Sequence, residues 1–421
     1  MRFAFITPRY GAEISSGPEH ACRLLAEQMA QRHDVDVITT CARDAATWKN
    51  EAAEGPDKIR GVVVRRFTVT QPHDAAAFEA LTLRLQNAPP SRADELEWVR
   101  QLGPWSPGLI EHLKRQHRTY DALVFFSLHH ATTVHGLDIA PDRSVLFPYA
   151  QLGPVLRFGL WVDVFRKPQG VGLLSGAERR LIREYVHVTP AHEELVGIGV
   201  DPSPQQTYPR HQQDPADVVA DEDASVETDG QEEVGYLGGR GIPFRRRHRL
   251  YGPILLYGGR VEPDNGCEEM LDYFHAYAAT DRDTALVLMG AKMMKIPEEE
   301  YVKLAGVLPA GERMVAYEAA EVTITPASDD LLAEALMESL AVGTPVLASA
   351  RNEAAVEHCR CANAGLYYAT RDEFVEGLRL LMTNTKLRER LGENGRQYVR
   401  QQYLWDAVMS RFERLVMRPR K

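Results

Sequence analysis

Cysteine is scarce in this chain of 421 residues: five are present, Cys22, Cys41, Cys267, Cys359 and Cys361, and they are widely scattered. That number and spacing exclude a disulfide framework and make a reducing compartment the simpler expectation. The run His358-Cys359-Arg360-Cys361 lacks Cys-x2-Cys spacing and a second ligand pair, so ordinary buried thiols are expected there, with no metal.

Positive charge is not in excess. Against 59 acidic residues stand 49 basic ones, a formal net of −10, which argues against coating nucleic acid by bulk electrostatics. Long apolar runs are missing too. The opening MRFAFITPRYG breaks at Pro8 and Arg9, and no later run reaches the roughly 18 residues needed to cross a bilayer. A soluble, cytoplasmic protein is expected, with room for peripheral association at the inner face of a membrane. Neither Gly-x-Gly-x-x-Gly nor Gly-x-x-x-x-Gly-Lys-Ser/Thr occurs after the first strand, which disfavours a dinucleotide fingerprint and a P-loop.

What is present is a rhythm. Apolar runs at 2–7, 34–40, 61–69, 120–127 and 144–150 alternate with amphipathic stretches, and the pattern restarts at 253–259, 284–290, 321–327 and 344–350. Near-continuous apolar strands separated by helices imply parallel sheets covered on both faces. With 44% apolar residues, the chain can fill two doubly wound α/β domains. Residues 203–243, rich in Pro, Gln and acid, read as an acidic flexible insertion between them. It ends in PFRRRHRLYGP, where Arg245, Arg246, Arg247 and Arg249 read as a solvated helix start, with a phosphate-facing role as the second option. The expected organisation is therefore an N-terminal domain over 1–202, the insertion, a second domain over 244–385, and helices over 386–421 that return to the first.

Ligands of doubly wound sheets bind at the carboxyl ends of strands, so the residues directly after strands carry the information. After PILLYGG comes GGRVEPDNG: Gly258 and Gly259 permit a tight turn, and Arg260 could fork onto a phosphate. After EVTITPA comes SDDLLAEALMESLAVGTPVL, in which Asp330 and Glu338 are eight residues apart. On one continuous helix they would be about 12 Å apart and turned by roughly 80°, so they would not share a face. With Ser328 or Asp329 as the cap, Asp330 sits at the helix entry and Glu338 lies two turns in. Free N–H groups at the helix start suit a diphosphate, and carboxylates suit sugar hydroxyls; the alternative is two acids that merely favour the helix dipole or face solvent. In the first half, Ser15, Ser16 and Gly17 form a plausible close-approach loop, while His129, His130 and Gln151 follow strands.

These segments together resemble the retaining, nucleotide-sugar-dependent glycosyltransferases of family four. The resemblance spans nearly the whole chain apart from the insertion and is strongest over 253–406. GGRVEPDNGCEEMLDYF is similar to that family's Gly-Arg-x-x-Pro-x-Lys-Gly donor loop, and DDLLAEALMESLAVGTPVL to its Glu, seven residues, Glu segment followed by Gly-Thr-Pro-Val. It implies the GT-B fold, two facing Rossmann-like domains with a C-terminal helix packing back toward the first. It also implies sugar transfer from a nucleotide diphosphate donor to a glycan, lipid-linked or small-molecule acceptor with retention, without a cofactor.

Carried over by resemblance, Gly259, Arg260 and Asn265 would address the donor diphosphate, as would the amides around Leu331 and Leu332. Glu338 would accept from the nucleotide ribose, Asp330 would lie near the donor sugar, and Arg260 and Asp330 would carry the catalytic burden. Gly17, His129 and Gln151 would sit on the acceptor side. Four positions depart from the family pattern: Asn265 for lysine, Asp330 for glutamate, Ser16-Gly17-Pro18-Glu19 for a glycine-rich loop, and Gln151 for a frequent histidine. Arg245 to Arg249 or Lys292 are candidates to replace the lost lysine. The departures motivate a second reading, a catalytically impaired paralogue that binds or scaffolds, and a two-Rossmann epimerase is the third.

Overall fold

The computed structural model describes residues 1–15, 17–87, 89–201 and 241–417. The insertion expected over 203–243 therefore lies, up to residue 240, outside the described residues. Its last positions are already helical, since a helix runs Ile242–His248. The chain divides into two compact units, Met1–Gly199 with the segment from Tyr403 onward, and Val200–Gln402.

The first unit is an eight-stranded sheet of order β3-β4-β2-β1-β5-β6-β7-β8. Its strands are β1 Arg2–Ile6, β2 Asp34–Thr40, β3 Gly55–Ile59, β4 Val62–Phe67, β5 Ala122–Phe126, β6 Ser144–Phe147, β7 Gly170–Leu173 and β8 Glu193–Leu195. Only the β3–β4 pair is antiparallel. β5 reads ALVFF and is buried at every position, as a strand covered on both faces must be.

The second unit is a six-stranded, fully parallel sheet of order β11-β10-β9-β12-β13-β14. Its strands are β9 Ile254–Gly258, β10 Ala285–Met289, β11 Val302–Gly306, β12 Val322–Thr325, β13 Val346–Ser349 and β14 Gly365–Tyr368. Both sheets are doubly wound α/β, as the alternating apolar runs imply. In the first the strand order reverses between β1 and β5, and in the second between β9 and β12. Crevices at such reversals, beyond the carboxyl ends of the strands, are where open α/β sheets hold ligands.

The C-terminal helix Trp405–Val416 belongs to the first unit for reasons of packing. Phe412 stacks on Phe5 at 5.7 Å and Phe147 at 5.5 Å, and Arg411 donates to the Val196 carbonyl at 2.8 Å. The boundary differs from the sequence expectation, which sent the chain back from residue 386. The helix Thr385–Gln402 stays in the second unit because its Gly392 lies against the Gly343 carbonyl, where a Cβ would be 2.0 Å away, and its Arg396 donates to the Val342 carbonyl at 3.0 Å. Among the described residues no helix is long and apolar enough to cross a membrane.

Candidate active site

The loop after β9 is fixed by its own carbonyl. Arg260 O accepts from the Tyr257 hydroxyl at 2.7 Å and from Asn265 Nδ2 at 3.0 Å, while Val261 N–H donates to Ala291 O at 2.8 Å. Gly259 makes this possible: its φ is 149°, and a Cβ there would lie 2.8 Å from the Tyr257 hydroxyl. The Arg260 side chain stays exposed and, among the described residues, pairs only with Glu262 at 2.9 Å, a contact that an incoming phosphate can replace at little cost.

Asn265 is bonded within its own loop. Its amide donates to Arg260 O and also to Glu262 Oε1 at 3.1 Å, so a residue standing where the family has lysine braces the loop. Gly266 follows with φ 72°, and a Cβ on it would come within 2.8 Å of the Pro326 carbonyl. The arginine loop is thereby pressed against the segment that leaves β12, at the reversal of the sheet.

That segment departs from the expected helix start. The helix begins at Glu334, with Ala333 left-handed at φ 47° as its cap residue, instead of at Ser328 or Asp329. Asp330 is the reason: its Oδ1 accepts from the backbone of Leu332 and of Ala333, each at 3.1 Å, a turn that a short acidic side chain closes. The Leu332 amide is therefore held by Asp330, and the expected pair of donors to phosphate narrows to Leu331. Burial pushes the Asp330 carboxyl above the usual aspartate range, and the two amides pull it back. Its carbonyl accepts from Asn352 Nδ2 at 3.2 Å, which ties the turn to the end of β13.

Glu338 is buried on the helix Glu334–Val342, 8% exposed, and is not a free carboxylate. Arg313, from the helix Ala310–Ala319, donates to Glu338 Oε1 and reaches Glu334 Oε1 at 3.4 Å. Glu334, which the sequence leaves with a structural or solvent-facing reading, is thus part of a three-residue charged cluster. Burial and the Glu334 carboxylate push the Glu338 carboxyl up, and the arginine and Tyr317 pull it back. Tyr317 also joins this cluster to the arginine loop, since a Cβ on Gly258 would lie 2.2 Å from its hydroxyl. The second unit therefore gathers Gly259, Arg260, Asn265, Asp330, Leu331, Leu332 and Glu338 around one end of β9 and β12. Nothing in the sequence signals Arg313, which lies 25 residues from its partner.

Two arginines of the basic knot serve structure. Arg245 is buried, donating to Glu321 at 2.8 Å, to the Gly252 carbonyl at 2.7 Å and to the Ala319 carbonyl, while Arg247 pairs with Glu312. Arg249 is the exposed end of the helix, left-handed at φ 53°, with its N–H on the Arg245 and Arg246 carbonyls. Arg249→Gly should stabilise the second unit by about 0.5–1 kcal/mol, because glycine adopts this cap without strain. The midpoint of denaturant unfolding measures it, with donor turnover unchanged. Of the candidates to replace the lysine, Arg246, Arg249 and Lys292 are exposed, and the backbone of Lys292 pairs with Val261.

In the first unit, Gly17 opens the helix Gly17–Met29 at φ 77°, and the neighbouring Ser16 lies outside the described residues. His129 sits among aromatic rings, edge-on to Trp161 at 5.0 Å and to Trp98 at 6.0 Å, with its Nε2 buried and unpaired. Burial pushes it down to about 4, so the ring is neutral at ordinary pH and ill suited to take a proton. His130 is bonded to the Ser127 hydroxyl at 2.6 Å and stands edge-on to Trp48. Gln151 is exposed after β6. The loop before it hangs on a residue that sequence reasoning missed: Glu178 is fully buried and accepts from the Ala150 and Leu174 amides at 2.8 Å each. Its signal was legible as Ser175-x-x-Glu178, a helix-capping pattern. Burial pushes this carboxyl up to about 7.

Residues 242–398, which contain every candidate of the second unit, match the family described as glycosyl transferases group 1. Glycosyltransferase 1 domain-containing protein 1 of Xenopus tropicalis is 24% identical over 125 residues, 29% of this chain and 35% of its own length. The chain thus matches about a third of that relative. Sucrose-phosphate synthase of Thermosynechococcus elongatus superposes with a TM-score of 0.64 at 15% identity, covering 98% of both chains. HepE of Anabaena, in complex with UDP and glucose, gives 0.63 at 13% identity over 97% of both. WaaG, a glycosyltransferase involved in lipopolysaccharide biosynthesis, gives 0.60 at 16% identity over 98% of this chain and 99% of its own. The two doubly wound units have the GT-B fold, and the second of them is similar to glycosyl transferases group 1.

Proposed function

We propose that this chain is a retaining, family-four-like glycosyltransferase that moves a sugar from a nucleoside diphosphate to a glycan, lipid-linked or small-molecule acceptor. One observation carries the reading: an exposed arginine on a rigid loop and a buried carboxylate cluster meet at the sheet reversal inside the segment similar to glycosyl transferases group 1. A nucleotide donor is supported by the structural neighbours described with UDP and with UDP-glucose.

The chemistry follows from charge. As the glycosidic bond to phosphate breaks, positive charge develops at the sugar and negative charge on the departing diphosphate. Arg260 and the Leu331 amide stabilise the latter, and preorganised donors of this kind are worth about 3–4 kcal/mol each in a water-poor site. The leaving phosphate takes the acceptor proton, so no side-chain base is needed and the neutral His129 is no obstacle. Asp330 faces the donor sugar, Glu338 accepts from the ribose, and Gly259 lets the backbone approach. Gly17, His129 and Gln151 shape the acceptor side. No metal or organic cofactor takes part, and the work is placed in the cytoplasm, at the inner face of the membrane where the acceptor is lipid-linked.

The test is incubation with a panel of nucleotide sugars, followed by assay of nucleoside diphosphate and proton NMR of the product. The expected anomeric coupling equals that of the donor. An inverted product would overturn retention, and an epimerised free nucleotide sugar would replace transfer by isomerisation. Nucleotide binding without release would point to a binding protein.

A further inference from the structure

We propose that Arg313 is a positioning residue of the donor site, holding the buried Glu338 carboxylate ionised beside Glu334 so that it can accept from the ribose hydroxyls of a nucleoside diphosphate. The inference rests on the reading of Glu338 as the ribose contact.

Glu334 and Glu338 stand one turn apart on the same helix face, which sets two negative charges against each other. Glu338 is buried, and a buried carboxylate beside a like charge takes up a proton unless a cation prevents it. Once protonated it presents an O–H donor and loses acceptor capacity toward hydroxyls. Arg313 is the cation that opposes this. Its Nη2 bonds both carboxylates, and a guanidinium does not release its own proton.

The other groups that face Glu338 do not supply the charge. Tyr317, on the same helix as Arg313, is held neutral by burial, with Tyr257 of β9 beyond it. Arg396, from the helix packed along the far side, is bonded to the Val342 carbonyl at 3.0 Å. Two acids and one arginine leave the cluster with a net negative charge suited to hydroxyl donors.

UDP, GDP and ADP, each titrated alone into the full chain by calorimetry between pH 6 and pH 9, test the role. The unaltered chain should hold its preferred nucleotide most tightly toward pH 9 and lose no more than about tenfold at pH 6, since the Glu338 carboxyl sits up at about 7 even with Arg313 in place. Arg313→Gln should bind at least about tenfold more weakly at pH 6 and recover toward pH 9, as one unit of carboxyl shift requires. Arg313→Lys should stay close to the unaltered chain. Arg313→Gln with Glu334→Gln should recover at lower pH than Arg313→Gln alone, and it carries the comparison if the single variant does not fold.

Affinity in Arg313→Gln that is unchanged at every pH, or lost equally at every pH, overturns the role of Arg313. Glu338→Gln separates that failure from failure of the ribose reading: it should bind weakly and without pH dependence, and full affinity in it would show that Glu338 does not contact the nucleotide. Absence of binding by all three nucleotides to the unaltered chain overturns both.

Discussion

Replacing Arg260 by alanine should lower the kcat/KM for nucleoside diphosphate release by about 100- to 1,000-fold while leaving the melting temperature within a degree or so. The two halves of this expectation have separate causes. The guanidinium is exposed and, among the described residues, makes one surface ion pair, so the fold loses almost nothing with it. Its position comes from the backbone, through a carbonyl that receives Tyr257 and Asn265, so alanine leaves the loop where it is. The loss then falls on the charge of the departing diphosphate. Arg260→Lys should recover only part, since an ammonium keeps the charge but not the forked geometry. Equal activity in Arg260→Ala and the unaltered chain would remove Arg260 from the mechanism.

Glu321→Ala should have the largest effect on stability, costing about 3–5 kcal/mol and lowering the melting temperature of the second unit by roughly 10 °C. Arg245 is 4% exposed, and Glu321 is its only ionic partner among the described residues. Without the carboxylate a guanidinium remains buried, compensated only by the Gly252 and Ala319 carbonyls. Glu321 also accepts from the Ile254 amide, so the start of β9 loosens with it. Differential scanning calorimetry with and without nucleotide measures the loss. A shift below about 2 °C would mean that water reaches Arg245.

The uneven legibility of this chain follows from the range of the interactions that shape it. β5, β9, β10, β12 and β13 are short apolar runs buried on both faces, and such runs announce themselves. β3, β8 and β11 do not: GPDKI, EEL and VKLAG carry charges toward solvent at or near sheet edges. The arginine loop was readable because a strand ends in a glycine and a second glycine and an arginine follow it. The true start of the helix at Glu334 was not, because it depends on which amides Asp330 captures once the chain has turned. The bracing role of the Asn265 amide was hidden for a similar reason: it depends on neighbours in space and not on place in a motif. Arg313 and Glu178 are partners of distant segments, and single-sequence spacing carries no trace of such pairing beyond the Ser175-x-x-Glu178 cap.

Within the first unit the same limit applies to histidine. Position after β5 leaves His129 with a structural role or a place at the cleft, and what decides is the Trp98 and Trp161 rings, contributed by residues some 30 positions away on either side, which stand edge-on to it. His129→Phe should therefore be read for stability before it is read for catalysis.

The most direct test of sugar transfer is mass spectrometry of the full chain incubated with a panel of nucleotide sugars and a cell extract as acceptor source. The account predicts that one donor is consumed, its nucleoside diphosphate appears in equal amount, and an acceptor gains the mass of one sugar residue. Binding of nucleotide with no donor consumed and no acceptor gaining mass would contradict it.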